Sequence, residues 1–266
     1  MLNLKPLFFA ILCSLSAAAP PAPANPGPPL EPGEALALAG PDGVVRLFGP
    51  ASVASPMGSL AQLVWIKLEG AEWAANNVQF KCTGRWEGLT CKVAKGHGRV
   101  DLARALIEGC DLAFVAWART SAAGWQQDYG DGPGRARLED AFGPFLGRRM
   151  PAGEAVPLLD APWVGAGELL QVSPAAMLEW LLDPAQDAVL RRSRRLLLSF
   201  FKETFGTGTW WIQAGTAEVP KAPGVTSAWA AGNNGSITAV LRLPAGKGKA
   251  DALARFRAIL RVPAGQ

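Results

Sequence analysis

The sequence has only one histidine, His97, and one tyrosine among its 266 residues. A single histidine excludes a metal site built from several histidines, and it is the only imidazole that a serine triad could use. Charged residues are also sparse, at 18% with a net charge of +4, and no basic stripe interleaved with aromatic residues is present. Nucleic acid is therefore not expected as a partner. The hydrophobic content of 49% is enough for one sizeable folded core.

Long apolar runs are missing as well. The run Leu7–Leu15 is far shorter than the roughly 20 residues of a membrane span, and small residues follow it. This pattern is typical of a secretory signal peptide. We expect residues 1–24 to be the signal peptide, residues 25–33 to be a Pro-rich leader, and the mature chain to be soluble and periplasmic, without a transmembrane segment. Cys13 does not indicate a lipid anchor, because the residue before it does not fit a lipid-modification box.

Cysteines are few: beyond the signal peptide only Cys82, Cys91 and Cys110 remain. In an oxidising compartment Cys82 and Cys91 could close a small loop as a disulfide. Cys110 falls in an apolar stripe with helical spacing, which predicts a buried thiol. The sequence has no CxxC pair and one histidine, and this pattern argues against a zinc site. We expect neither a metal ion nor a cofactor.

The hydrophobic patterns predict strands at both ends of the chain and helices between them. The predicted strands are Ala35–Ala39, Val44–Phe48, Thr209–Val219, Thr226–Ala231 and Ser236–Leu243. The predicted helices are Gly58–Glu69, Gly98–Trp117, Ser173–Leu182, 185–205 and Lys249–Leu260. This order predicts an α+β fold with one antiparallel five-stranded sheet, built from both chain ends, and an all-helical insert.

Residues 81–114, KCTGRWEGLTCKVAKGHGRVDLARALIEGCDLAF, carry the most specific pattern in the chain. They resemble a segment of the transpeptidase domain of penicillin-binding proteins, the serine acyltransferases that cross-link peptidoglycan, and in particular the class B enzymes of cell elongation. The shared features are Cys-x-Gly, a second Cys, Gly-His-Gly-x-Val-Asp-Leu and Cys-Asp-x-x-Phe, in this order. The resemblance spans residues 34–262 and implies one domain with the fold of serine β-lactamases and transpeptidases.

Three motifs carry the chemistry of that family, and each is altered in this chain. In the first motif, Ser-x-x-Lys, the resemblance places the nucleophile at Ser59 and the lysine at Gln62. The lysine lies one helical turn after the serine, where it can take the serine proton. The neutral amide of Gln62 cannot act as a base near neutral pH.

The second motif, Ser-x-Asn or Ser-x-Asp, is represented by residues 109–111. Gly109 replaces the serine that relays a proton in the family, and Asp111 keeps the third position. Cys110 occupies the middle position and is expected to pack inward.

The third motif, Lys-Thr-Gly, lies on the strand that lines the site, and the matching stretch here is TWWIQAGTAEV. Gln213 and Ala214 replace the lysine and the threonine. Gly215 and Thr216 remain, so that backbone can still approach a ligand. The resemblance implies that this strand binds an acyl-peptide, and that its catalytic side chains are gone.

Three other side chains are candidates for a substitute base that would take the proton of Ser59. Lys67 lies two turns along the predicted helix, or about 12 Å by the helical rise, which is too far. His97 belongs to a Gly-His-Gly turn that is structural in the family. Asp111 would be near Ser59 if the fold holds, but it is a weak candidate.

The resemblance therefore implies a domain that keeps a binding strand and lacks the chemistry. We expect a catalytically inactive pseudoenzyme that binds a peptidoglycan stem peptide or a cell-wall synthesis protein, with weak β-lactam binding at most. The alternative is an atypical serine acyltransferase or hydrolase, of the penicillin-binding D,D-transpeptidase type, that acts through Ser59. The resemblance also implies a disulfide between Cys82 and Cys91.

Overall fold

The computed structural model describes residues 28–129, 136–137, 140–146, 165, 169–183, 195–198, 201–205, 208–219, 222 and 224–261. The expected signal peptide, the start of the leader and most of the expected helix 185–205 lie outside these residues. Within the part of the chain that the structure describes, no helix combines the length and the apolar character needed to cross a membrane.

The elements are numbered in chain order. The strands are β1 (Ala35–Ala39), β2 (Val45–Phe48), β3 (Ser55–Pro56), β4 (Gln79–Cys82), β5 (Arg85–Trp86), β6 (Leu89–Thr90), β7 (Gly98–Asp101), β8 (Gln171–Val172), β9 (Lys202–Phe205), β10 (Gly208–Glu218), β11 (Thr226–Asn233) and β12 (Thr238–Leu243). The helices are α1 (Ala61–Ala75), α2 (Leu102–Glu108), α3 (Asp111–Tyr129), α4 (Pro174–Leu182) and α5 (Lys249–Arg261). Short 3-10 turns cover Gly58–Leu60 and Gly143–Phe145.

The main sheet is antiparallel and has the strand order β2-β1-β12-β11-β10-β9. The first strands of the chain pair with its last strand, as in the register Leu36 to Leu241. This confirms the prediction of one antiparallel sheet built from both chain ends.

The sheet has six strands where the sequence predicted five. Lys202–Phe205 is not the end of a helix, as predicted, but strand β9, which pairs with Gly208–Trp211. The ring of Phe205 stacks on the ring of Trp210 at 5.4 Å between centroids. Aromatic stacking across the short connection stabilises the strand pair, and a single-sequence pattern does not show such a contact.

The sheet separates two hydrophobic layers. One face packs against α4 and the 3-10 turn before α1, and it contributes residues such as Ala37, Trp229 and Val240 to the larger core, which also holds side chains of α1, α2 and α3. The other face packs against α5, with Trp210 and Phe256 among its buried residues. Helix α1 is buried on most sides and lies in the interior of the larger layer, as its nearly uncharged sequence predicted.

The predicted helix Gly98–Trp117 is wrong as a single element. It begins with strand β7, and α2 and α3 are separated by Gly109 and Cys110. The Asp101 side chain accepts a hydrogen bond from the Arg104 N–H at 2.8 Å and caps α2. Gly109 ends α2 with φ +65°, a left-handed conformation that glycine adopts without strain. The apolar residues keep helical spacing across this break, so the sequence pattern did not indicate it.

The start of α4 follows the sequence prediction. Ser173 Oγ accepts a hydrogen bond from the Ala176 N–H at 3.1 Å, and Pro174 is the first helical residue.

Trp229 and Trp210 form a matched pair for a stability test. Both side chains are fully buried, on opposite faces of the sheet. Trp229 Nε1 donates a hydrogen bond to the Pro56 carbonyl at 3.1 Å, whereas Trp210 Nε1 has no partner among the described residues. Both Trp→Phe changes remove similar volume, but only Trp229→Phe leaves a buried carbonyl unpaired. We predict that Trp229→Phe lowers the free energy of unfolding by about 1–2 kcal/mol more than Trp210→Phe. Urea unfolding measures the difference, and equal losses would contradict it.

Candidate functional site

Ser59 lies in the 3-10 turn just before α1, and strand β10 passes directly beside it. A Cβ atom placed on Gly215 would lie 2.6 Å from Ser59 Cβ and 3.2 Å from Ser59 Oγ. A Cβ atom on Gly58, which has φ +56°, would overlap the carbonyl oxygen of Thr216. Larger side chains at these two positions would force the turn and the strand apart. The structure therefore brings Ser59, Gly215 and Thr216 together.

The three altered motifs are joined by a chain of hydrogen bonds. Gln213 Nε2 donates to Gln62 Oε1 at 3.2 Å, and Gln62 Nε2 donates to Asp111 Oδ1 at 2.9 Å. Gln62 and Gln213 are 0% and 1% exposed. Burial raises the pKa of Asp111, and this shift is opposed by the charge of Lys92 and by the hydrogen bond from Gln62. We call these three side chains the polar chain; Gln62 and Gln213 stand at the two positions where the resemblance expects lysines.

Strand β10 turns alternate side chains to opposite faces of the sheet. Ala214 packs in the α5 layer with Trp210 and Ile212, away from Ser59. Ala214 stands where the resemblance expects a threonine. Because its side chain lies on the other face of the sheet, the missing hydroxyl group does not change the surroundings of Ser59. On the other face, Gln213 Oε1 is buried and has no hydrogen-bond partner among the described residues. It is an acceptor still available at the site.

Lys92 was not identified from the sequence. A Cβ atom on Gly109 would lie 2.5 Å from Lys92 Nζ, so the ammonium group occupies the place of the missing side chain of the second motif. Lys249 Nζ donates a hydrogen bond to the carbonyl of Ile107 at 3.1 Å, close to the same end of α2. Cations at a helix C-terminus are favoured by the helix dipole. No sequence pattern indicated Lys92, because it lies 17 positions before Gly109 on a different segment.

None of the substitute bases serves Ser59 in this geometry. No side chain in the described part of the chain hydrogen-bonds to Ser59 Oγ. His97 Nδ1 lies 3.3 Å from Cys91 Sγ, and Asp111 accepts the hydrogen bond from Gln62. Lys67 Nζ lies over the ring of Trp180, 4.3 Å from its centroid.

The three cysteines converge with the single histidine. The Sγ atoms of Cys82, Cys91 and Cys110 and a ring nitrogen of His97 all lie within 4.8 Å of one another. We call these four residues the thiol–imidazole cluster. The three thiols are buried and free, so the Cys82–Cys91 disulfide implied by the resemblance is not formed. Cys82 has the Cys110 and His97 side chains as hydrogen-bonding neighbours and is not exclusively paired with Cys91.

The cluster also bears on the argument against a zinc site, which rested on sequence spacing alone. Three sulfur donors and one nitrogen donor are a usual tetrahedral zinc set. Burial by itself disfavours the Cys82 thiolate, but N–H groups of His97 and Gly84 and the side chains of His97 and Cys110 outweigh burial and lower the pKa of Cys82 to about 6. The absence of a CxxC pair excluded nothing, because each donor comes from a separate segment that the fold brings to one point. Cys110 is buried, as predicted.

Lys67 gives a testable pH dependence. Burial lowers its pKa from 10.5 to about 8, although the charges of Asp183 and Asp140 oppose the shift. Between these two values the unfolded chain binds more protons than the folded chain, so the contribution of Lys67 to stability rises with pH across this window. We predict that the free energy of unfolding of the wild type, relative to Lys67→Met, increases between about pH 8 and pH 10. Urea unfolding at several pH values measures it, with Lys247→Met as the exposed control. A difference that is constant with pH would refute the prediction.

Comparisons with known proteins show similarity in structure. No protein-family model matches the sequence, and no curated protein sequence matches it. A class D β-lactamase from Fusobacterium nucleatum is 10% identical with a TM-score of 0.56, covering 86% of this chain and 89% of that one. The C-terminal domain of the BlaR penicillin receptor of Bacillus licheniformis is 12% identical with a TM-score of 0.56, covering 86% and 88%.

A third similar structure is the penicillin-binding protein PonA1 of Mycobacterium tuberculosis, at 13% identity and a TM-score of 0.59, covering 87% of this chain and 77% of that one. These structures include β-lactamases, a receptor domain and a penicillin-binding protein, so they do not single out the class B enzymes. The chain therefore has the fold shared by serine β-lactamases and penicillin-binding protein transpeptidase domains.

Proposed function

We propose that the chain is a penicillin-binding-type domain without acyl-transfer activity, which binds a peptidoglycan stem peptide or a cell-wall synthesis protein. The observation that carries this proposal is the polar chain at the three motif positions. Two neutral amides and a carboxyl group hold one another where an acyltransferase needs a base beside its serine.

The chemistry of the polar chain argues against catalysis. A serine hydroxyl is a weak nucleophile unless a base takes its proton. The amide of Gln62 has no basicity near neutral pH, and Asp111 accepts a hydrogen bond from Gln62. Loss of groups that act as one unit costs about 10⁶ in rate in the best-studied serine hydrolase case. Backbone N–H groups near Ser59 and Thr216 survive such side-chain changes, but they do not activate the serine.

The geometry of β10 supports binding of an extended peptide. Strand β9 pairs only with the first four residues of β10. Within the described residues no strand covers the same edge from Ile212 to Glu218, where Gly215 and Thr216 lie. An extended peptide could add to this edge through backbone hydrogen bonds. Two of the similar structures are, by name, a β-lactamase and a penicillin receptor, and this agrees with a ligand that resembles an acyl-D-peptide.

Export is part of the same proposal. The signal peptide expected at residues 1–24 would deliver the chain to the periplasm, where peptidoglycan peptides and wall-synthesis proteins are found. We also propose that the chain is related to the class B enzymes of cell elongation. The pattern of residues 81–114 supports this relationship.

The alternative is a working serine acyltransferase or hydrolase built on Ser59. The observation in its favour is that Ser59 is only half-buried and lies beside the backbone of Gly215. A strained lactam could then acylate the serine slowly without a dedicated base.

Intact-mass measurement after incubation with a penicillin decides between the two. We predict no adduct on the wild-type protein within minutes, because Ser59 lacks a base. Ser59→Ala is the control, and its free energy of unfolding should change by less than about 0.5 kcal/mol because the side chain is small and half-buried. A prompt, stoichiometric adduct that is absent in Ser59→Ala would show that the wild type is an enzyme.

Variants that restore motif residues also test whether the altered motifs prevent acylation of Ser59. Gln62→Lys alone leaves Gly109 and Gln213 unchanged, and we predict no labelling. Adding Gln213→Lys and Gly109→Ser meets an obstacle, because a serine at position 109 must take the left-handed backbone conformation of Gly109, whereas Lys92 Nζ is the end of a flexible side chain and can move aside. We therefore predict that a fluorescent penicillin labels this triple variant at most weakly, and that adding Lys92→Ala does not raise the labelling. The same set with Ser59→Ala is the blank, and strong labelling of the triple variant that is absent in this blank would contradict the prediction.

A further inference from the structure

Lys92 places an exposed ammonium group against the second-motif segment. A Cβ atom on Gly109 would lie 2.5 Å from Lys92 Nζ, so the missing side chain at position 109 is what lets the cation lie against the backbone. Among the described residues, this ammonium group has no hydrogen-bond or ion-pair partner. It is therefore a charged donor that is available to a ligand.

A second lysine lies at the same end of α2. Lys249 Nζ donates a hydrogen bond to the carbonyl of Ile107 at 3.1 Å. Burial lowers the pKa of Lys249, the charge of Lys92 lowers it further, and the charge of Asp111 opposes the shift. The two ammonium groups and the Asp111 carboxyl group therefore lie close enough to act on one another.

The charges at this end of α2 do not balance. The C-terminus of a helix carries about half a negative charge, and two lysines bring two positive charges. Burial raises the pKa of Asp111, which disfavours its ionised form, and Glu108 is engaged by Arg104 at 2.6 Å. The helix end and Asp111 together thus leave positive charge in excess, and such an excess attracts an anion.

The polar chain leads from this positive region to the open edge of β10. Asp111 is hydrogen-bonded to Gln62, and Gln62 is hydrogen-bonded to Gln213, which lies two positions before Gly215. Two hydrogen bonds between three side chains cover a length that a few extended residues, at about 3.3 Å each, can also cover. A peptide that lies along the edge beside Gly215 can therefore bring one end to Lys92.

Strand β10 itself offers no cation to a ligand. Its sequence, GTWWIQAGTAE, has no lysine or arginine, and its one charged residue is Glu218. A negatively charged group on a peptide at this edge must find its partner on another segment. Lys92 meets this need, because an ammonium group is a compact charge with three donors that turn freely, and charge-assisted hydrogen bonds are the stronger kind.

We propose that Lys92 binds the C-terminal carboxylate of the peptide ligand, in a region that Lys249 makes more positive. The inference rests on the proposed function, because it concerns the same ligand, and it makes the ligand class narrower. The ligand is a peptide with a free, ionised C-terminus, and Lys92 is the residue that selects for that terminus.

Two probe peptides that differ only at the C-terminus test this site. They are diacetylated lysyl-D-alanyl-D-alanine with a free carboxylate and the same peptide with a C-terminal amide. We expect the wild type to bind the free acid at least about 10-fold more tightly than the amide in isothermal titration calorimetry.

Variants of the loop assign the preference to one residue. Lys92→Met should weaken binding of the acid by about the same 10-fold and leave binding of the amide unchanged. Lys92→Arg keeps the charge and should keep the preference for the acid. Lys95→Met is the matched control, since Lys95 is an exposed lysine of the same loop, and both affinities should stay within about twofold of the wild type.

The outcomes separate this inference from the proposed function. Equal affinity of the wild type for acid and amide would overturn the carboxylate site and leave peptide binding standing, and this comparison needs no variant to fold. A preference for the acid that survives in Lys92→Met, or that is lost equally in Lys95→Met, would also overturn the role of Lys92. Failure of the wild type to bind either peptide would instead overturn stem-peptide binding, and the inference with it.

Discussion

The close approach of β10 to the turn that carries Ser59 is the constraint on which the site depends. Side chains at Gly58 and Gly215 would collide with the opposing segment, so backbone meets backbone there. Trp229, paired with Gly215 across the sheet, holds the same turn through its hydrogen bond to Pro56. Because these contacts are made by backbone and by a core side chain, they persist whatever residues occupy the catalytic positions.

The polar chain follows from that close approach. Because β10 lies against the turn that leads into α1, the side chains at positions 62 and 213 are buried together and form one hydrogen bond with each other, which leaves Gln213 Oε1 without a partner among the described residues. A lysine only donates hydrogen bonds, whereas a glutamine both donates and accepts. Gln62 therefore accepts from Gln213 and donates to Asp111, which two ammonium groups could not do. The side chains of Gln62 and Gln213 are therefore physically complementary.

The sequence predicted what depends on local pattern and missed what depends on convergence. The strands near both chain ends follow from short apolar runs bounded by turn residues, and the start of α4 follows from the Ser173 cap. The break at Gly109 was hidden, because apolar spacing continued through it. The cluster could not be predicted from spacing, since Cys82 and Cys110 are separated by 28 positions and meet only after β4 pairs with β7. The contact of Lys92 with Gly109 depends on the same loop packing.

Residues 109–111 are held from two directions. On one side Asp111 is tied through Gln62 to β10, and on the other Cys110 belongs to the thiol–imidazole cluster. Along β10, no strand of the described residues pairs with the edge beside Gly215, and no side chain of those residues hydrogen-bonds to Ser59 Oγ. The position of residues 109–111 relative to β10 is therefore set by contacts in which the Ser59 side chain takes no part.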